Sequence, residues 1–340
     1  MTERISSDGR RNDAARPIRR SGLTIRSPHV VRSSLVTCHL LMTPLEPAPP
    51  GLSSKRPLFL KREDTHELGA FKWRGALPTL EEYRKRGATG VVTASTGNHG
   101  AATAWAARRL EMRAVVFAPE GASRTKLDLI ERQGAEVRQA GRDFDSAKEE
   151  AKVFAAQSGL PLFEDGAEKA QYRGYGAIAR EILEQSSDPP AAVVVPVGNG
   201  ALIGGIGIVL KDSSPEIALI GVAAKEAPVM ALSFEAGKAV RSDRMATFAD
   251  GLAVRVAIPQ AVETVNRVVS RFLLVSEREI ARAVAAYAGV GIRAEGAAAA
   301  ALAALPKIGT LGSTVLVVTG RNIDDELWKR AVDQPESFPA

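Results

Sequence analysis

The sequence predicts an α/β protein built on parallel sheets covered on both faces, and three observations carry that expectation. From residue 57 onward, short runs rich in β-branched and other apolar residues alternate with amphipathic stretches of helical length. Several of these runs are apolar throughout, as strands buried on both faces must be. At 340 residues the chain is long enough for a large core and for two domains.

The first strand-like run spans 57–62, and further strands are expected over 91–95, 113–118, 136–140, 192–197, 217–223 and 314–319. Between them, apolar residues recur at helical spacing over 101–110, 125–132, 146–157 and 178–185. Ser276 and Glu279 open a helix over 277–288, because side chains at this spacing can cap each other's backbone amides. The alanine run 297–301 reads as one tightly packed helix, alanine being the residue least costly to make helical.

Composition narrows the function classes. Charged residues make up 25% and apolar residues 45% of the chain, ordinary values for a globular protein. No apolar run approaches the roughly 20 residues needed to cross a bilayer, so no membrane partner is expected. The single cysteine, Cys38, excludes an internal disulfide and suits a reducing, cytoplasmic setting. His29, His39, His66 and His99 are scattered, and no metal site is expected. The net charge of +6 is concentrated: residues 1–42 hold eight arginines against Glu3, Asp8 and Asp13, a net +5. The rest is near neutral, which argues against nucleic acid. An organelle transit peptide shares the Arg and Ser enrichment, but Asp8, Asp13 and the prolines favour a disordered N-terminal extension.

Four segments carry chemistry. Lys72 lies between Gly69-Ala-Phe71 and Trp73-Arg-Gly-Ala76, small or aromatic neighbours that take an amine out of water. Such a lysine suits Schiff-base chemistry with a carbonyl, although a lysine in apolar company also commonly snorkels at a rim. Ser95-Thr96-Gly97-Asn98-His99 joins a strand to a helix, supplying hydroxyls, an amide and free N–H groups that suit a carboxylate; plain helix capping is the alternative. Gly198-Asn199-Gly200-Ala201-Leu202 follows an apolar strand and opens another helix, where backbone amides can close around a phosphate. A degenerate dinucleotide fingerprint is the alternative there, but its Gly-x-Gly-x-x-x-Gly spacing is one residue too long. Finally, Thr319-Gly320-Arg321-Asn322 ends a strand with a neutral hydroxyl. Such a hydroxyl can hydrogen-bond a pyridine nitrogen without enforcing its protonation.

Together these segments resemble the fold-type II (tryptophan synthase β-like) pyridoxal phosphate (PLP) enzymes, specifically the threonine/serine dehydratase and serine racemase group. Phe71-Lys72-x-Arg74-Gly75-Ala76 matches the lysine motif of that family, and the other three segments follow in the family's order between about residues 43 and 325. Thr43-Pro-Leu45, Ala249-Asp-Gly-Leu-Ala-Val254 and Glu295-Gly-Ala-Ala298 are further echoes. The resemblance implies two α/β domains with PLP between them: a large one from 43–87 plus 166–330, an inserted smaller one from 88–165, and a tail over 331–340. It implies that Lys72 holds PLP and removes the Cα proton, that Phe71 packs on the ring, and that Asn98 meets the 3′-oxygen. Backbone groups of Gly198, Asn199, Gly200, Ala201 and Leu202 would bind the phosphate, and Thr319 the ring nitrogen. Ser95, Thr96, Asn98 and His99 would cradle the substrate carboxylate. The reaction implied is an ammonia-lyase (dehydratase) converting L-threonine, L-serine or a similar β-hydroxy amino acid to a 2-oxo acid and ammonia, in a homodimer or higher homo-oligomer.

The departures from the family pattern are specific. Ala70 stands where the family usually has serine, and Asn199 and Ala201 interrupt its glycine run. Ala223 replaces an acid of the members that bind a divalent cation. Thr96 puts a hydroxyl where racemases have a second-face acid/base. With 340 residues, the chain is expected to carry no isoleucine-responsive regulatory domain. A racemase, a threonine synthase-like enzyme, a compatible-solute lyase and a non-catalytic PLP-binding protein are the alternative readings.

Overall fold

The computed structural model describes residues 42–52, 56–309 and 311–340. The disordered extension expected over 1–42 therefore lies, Met42 apart, outside the described residues. Strand β1 (Leu45–Pro47) pairs antiparallel with β2 (Leu58–Arg62), and helix α1 (Trp73–Lys85) follows. Then β3 (Gly90–Ala94), α2 (Asn98–Arg109), β4 (Arg113–Ala118), α3 (Arg124–Arg132), β5 (Glu136–Gln139) and α4 (Phe144–Ser158) alternate. Their three strands form one parallel sheet in the order β3-β4-β5.

Helix α5 (Lys169–Gln185) leads to β6 (Ala192–Pro196), α6 (Ala201–Ser213), β7 (Ala218–Ala224) and α7 (Val229–Ala236). The chain continues through α8 (Pro259–Val268), β8 (Arg271–Val275), α9 (Glu277–Gly289), α10 (Gly296–Ala303), β9 (Thr314–Val318) and α11 (Asp325–Asp333). These strands complete a six-stranded sheet in the order β1-β2-β9-β6-β7-β8, parallel except at β1.

Both faces of the large sheet are dry, which explains its apolar strands. Val194 of β6 and Leu316 of β9 pack with Ile280, Val284 and Ala298 of α9 and α10. Their neighbours Val193, Val195, Val315 and Val317 pack on the opposite face with Ile178, Ile203 and Val265 of α5, α6 and α8. Burying each such side chain is worth about 1.5–3 kcal/mol, so a strand lined on both faces resists any slip in register. The smaller sheet follows the same rule: Val91 packs with Trp105 and Leu80, whereas Val92 and Val115 pack with Ala151 of α4.

The expected strands are all present, each end lying within a residue of its expected place. The helices extend further. α2 starts at Asn98, three residues before the expected 101, and α5 starts at Lys169, where Glu168 and Gln171 form a reciprocal cap. The Ser276–Glu279 capping box is formed. Residues 331–340, set apart as a tail, hold the end of α11 and the buried Phe338, whose ring lies 4.6 Å from that of Phe248.

Candidate active site

The chemistry-bearing segments follow the C-terminal ends of β2, β3, β6 and β9, the edge at which open parallel sheets bind ligands. Backbone bonds join two of them: the Phe71 N–H donates to Thr319 O at 3.1 Å, and the Arg321 N–H to Gly69 O at 2.9 Å. The lysine loop is thereby stitched to the end of β9.

Lys72 caps the start of α1, with its side chain 16% exposed. Its Nζ lies 2.5 Å from Asp165 Oδ2 and 5.1 Å from the centre of the Phe71 ring. Two residues on, Arg74 is buried in an ionic cluster. It donates to Glu63 (2.7 and 2.9 Å), to Glu181 (2.6 and 2.7 Å) and to Thr43 Oγ1 (2.9 Å). Lys61 completes the cluster with a 2.6 Å contact to Glu181. Burial alone would raise the Glu181 carboxyl, but Arg74 and Lys61 outweigh it and hold the group below its ordinary value. Removing one member of such a cluster strands the opposite charge, at a cost of about 3–5 kcal/mol. The cluster therefore anchors the first turn of α1, and with it Lys72.

The segment after β3 forms an anion-receptive helix start. Ser95 Oγ accepts from Gly97 N–H (3.2 Å) and Gly100 N–H (2.9 Å), which leaves its own proton free to donate. By helix geometry the first amides of α2 lack intrahelical acceptors. The imidazole of His99, expected in the carboxylate cradle, turns instead into the core, with its ring 4.5 Å from that of Phe163. Its Nε2 lies 3.1 Å from Thr93 Oγ1. Burial holds its pKa below the usual value, so the ring is neutral near pH 7. What His99 can offer an anion at the helix start is its backbone amide.

Asn98 is held from two sides. Its Oδ1 accepts from Asn322 Nδ2 at 2.7 Å, and its Nδ2 donates to the Glu295 carboxyl at 3.1 and 3.3 Å. Burial pushes Glu295 up to about 7, with the Asn98 hydrogen bond opposing and Asp250 adding to the rise.

After β6, Gly200 sits at φ 88°, a conformation that side chains disfavour. A Cβ on Gly198 would lie 2.3 Å from Gly251 O. Asn199 uses its side chain within the loop, accepting from Ala201 N–H at 3.1 Å and donating to Asp165 O at 3.2 Å. One of the expected phosphate donors, the Ala201 amide, thus already has an acceptor. Leu202 packs its side chain into the core. At the end of β9, Thr319 is 2% exposed and its hydroxyl is buried without a hydrogen-bond partner.

A family model described as pyridoxal-phosphate dependent enzyme matches residues 36–320. The chain belongs to the pyridoxal-phosphate-dependent enzymes. The four motifs had led to this family and this cofactor, and the dinucleotide alternative for the Gly198 loop falls away. This PLP enzyme is 35% identical over 284 residues to the L-threonine ammonia-lyase of Thermotoga maritima, covering 82% of this chain and 70% of that one. To the L-threonine ammonia-lyase of Geobacter sulfurreducens it is 36% identical over 273 residues, 79% of this chain and 68% of that one. Among solved structures it is similar to the processed form of threonine deaminase isoform 2 from Solanum lycopersicum. That match has a TM-score of 0.80 at 29% identity and covers 86% and 88% of the two chains. Maize serine racemase gives 0.79 at 26% identity, covering 87% and 93%.

The residues present fit PLP. A buried hydroxyl without a partner is costly unless something meets it, and a pyridine nitrogen is such a partner for Thr319. At Gly198 and Gly200 a Cβ would strike Gly251 O and Met230, so the turn after β6 keeps its backbone free of side chains of its own at both places, a loop of the kind that can approach a phosphate. Two residues of this PLP enzyme escaped the sequence reading. Glu295 was visible only as part of a family echo. Asp165 stands between Glu164 and Gly166 with no periodic signal, and only the fold brings it to Lys72.

Proposed function

We propose that this PLP-dependent lyase converts a small β-hydroxy amino acid, such as L-threonine or L-serine, to the corresponding 2-oxo acid and ammonia. The observation that carries the reading is the buried, unpartnered hydroxyl of Thr319 beside the Phe71 backbone. A neutral partner leaves a pyridine nitrogen unprotonated, which favours prompt loss of a β-substituent over a long-lived carbanion. The similarity to L-threonine ammonia-lyases supports the same choice of substrate.

When bound, PLP supplies the carbonyl that engages an amine and the electron sink that makes a Cα proton acidic. In this reading Phe71 would lie against the ring, Asn98 would donate to the 3′-oxygen, and the Gly198–Leu202 backbone would hold the phosphate, the Ala201 amide only on leaving Asn199. Lys72 carries the cofactor and then takes the Cα proton, while α1 and its ionic cluster keep the amine in place. Ser95, Thr96 and the amides of Asn98 and His99 hold the carboxylate. Overall, the β-hydroxyl leaves as water, and a water returns to Cα as ammonia is released. Thr96 is the candidate second-face group of a racemase. A threonine hydroxyl is a weak acid and base without an ionised neighbour, so elimination leads.

The reading includes a smaller domain over 88–165 and a larger one from 43–87 plus 166–330. The contiguous strands β3, β4 and β5 support the first. It also includes a cytoplasmic homodimer or higher homo-oligomer, acting on a small molecule and on neither nucleic acid nor membrane.

The test is to incubate the PLP-loaded protein separately with L-serine, L-threonine and L-threo-3-hydroxyaspartate, measuring 2-oxo acid and ammonia. Equimolar release from at least one is expected, with Lys72→Ala lowering kcat by roughly 10²–10⁴-fold. No release from any, while the cofactor absorbance still responds to amino acids, would replace the lyase by a racemase or a binding protein.

A further inference from the structure

The carboxylate of Asp165 has contacts that the roles above do not use. Oδ2 lies 2.5 Å from Lys72 Nζ, and Oδ1 accepts from Gln171 Nε2 at 3.0 Å and lies 3.6 Å from His99 Nδ1. Its backbone oxygen accepts from Asn199 Nδ2 at 3.2 Å. One residue therefore touches the lysine, a first-turn residue of the carboxylate-receptive helix, and the glycine loop. Gln171, fully buried in α5, fixes its orientation. About a quarter of the side chain, 27%, remains open.

We propose that Asp165 is a substrate-binding residue that receives the α-ammonium group of the incoming amino acid. The inference rests on the PLP reading above. An α-amino acid carries its two charges on adjacent carbons, so its cation site must adjoin its anion site. Here His99 joins the two: its backbone belongs to the start of α2, and its ring meets Asp165. Lys72 is the cation against Asp165, and the proposed chemistry engages that same nitrogen with the cofactor. A half-buried carboxylate deprived of its cation is costly, and a substrate ammonium supplies the replacement.

Charge favours Asp165 over the other carboxyl near these residues. Burial alone would raise the Asp165 carboxyl, but a cation in contact, here chiefly Lys72, outweighs it and holds the group at about 2, so the site keeps its charge when an ammonium takes the place of Lys72. Glu295 lies behind Asn98 and is pushed up to about 7.

The experiment uses PLP-loaded wild type and Asp165→Asn, whose shape keeps the Gln171 contact. Two ligands are compared on each: L-alanine, followed by its effect on the cofactor absorbance band, and propionate, its counterpart without the amine, followed as an inhibitor of L-threonine turnover. In the variant, the dissociation constant of L-alanine should rise about 10- to 100-fold, while propionate binds equally well or better. PLP affinity, titrated separately, should change far less. Equal weakening of both ligands, or of neither, would assign Asp165 a structural role and overturn the proposal. If no amino acid perturbs the wild-type absorbance, the functional reading falls and this assignment with it.

Discussion

At the residue scale, Glu295 shows how burial turns a common side chain into a group that titrates near neutrality. It is 8% exposed, forms no ion pair among the described residues, and is met by the Asn98 amide and the Asn322 backbone. Below about pH 4.5 the carboxyl is protonated in both the folded and the unfolded chain. As pH rises toward 7 the unfolded chain releases that proton and the folded chain keeps it, so stability is lost over that interval. A folded value of about 7 against an ordinary 4.5 makes the loss ~3 kcal/mol. Glu295→Gln keeps the shape and cannot titrate. Urea unfolding of the cofactor-free proteins at pH 4.5 and pH 7.5 should show wild type losing about 3 kcal/mol relative to the variant. An equal difference at both pH values would mean that folding does not raise the Glu295 carboxyl.

At the element scale, the crossing of α1 and α5 sets where Lys72 stands. Pro78 lies inside α1 and has no N–H, so the carbonyl of Arg74, four residues earlier, receives no helical bond from it. Gly174 of α5 passes over that carbonyl so closely that a Cβ would lie 1.8 Å from the oxygen. Gly174→Ala should therefore destabilise by about 1–3 kcal/mol or more despite alanine's better helix propensity, and should weaken PLP binding by moving the first turn of α1. Gly289→Ala is the control: it lies in α9 with open space around it and should be neutral or stabilising by up to about 1 kcal/mol. A Gly174→Ala variant as stable as Gly289→Ala would show that the crossing tolerates a side chain. This crossing also marks where sequence reasoning stopped. Strands such as Ala192–Pro196 were legible because two dry faces demand an unbroken apolar run. α1 was not, since Gly75 and Pro78 oppose helix formation, and tertiary contacts with α5 compensate. Lys72, Asn98, the glycine loop and Thr319 were legible because each follows a strand in a recognisable local pattern. Asp165 was not, because its place beside Lys72 depends on a contact between residues far apart in the chain.

At the scale of the whole molecule, ionic contacts tie the helices of the three-stranded sheet to the segment between α7 and α8. Lys126 of α3 pairs with Asp250, and Asp145 of α4 accepts from Arg255 at 3.2 Å. Such exposed pairs are worth at most about 1 kcal/mol each and are screened by salt. Replacing both cations, Lys126→Met with Arg255→Met, should speed PLP release roughly 2- to 10-fold at low ionic strength and flatten its dependence on salt. Unchanged release would mean that these pairs do not hold the cofactor site closed. The strand order carries a different consequence. β9, the strand furthest along the chain, lies between β2 and β6 near the middle of the large sheet. A ribosome-bound chain can thus complete β3, β4 and β5 early, while β2 and β6 wait with unpaired edges for a partner not yet synthesised. Through that interval those edges are open to non-native pairing, and the site that Thr319 completes cannot be whole until β9 has left the exit tunnel.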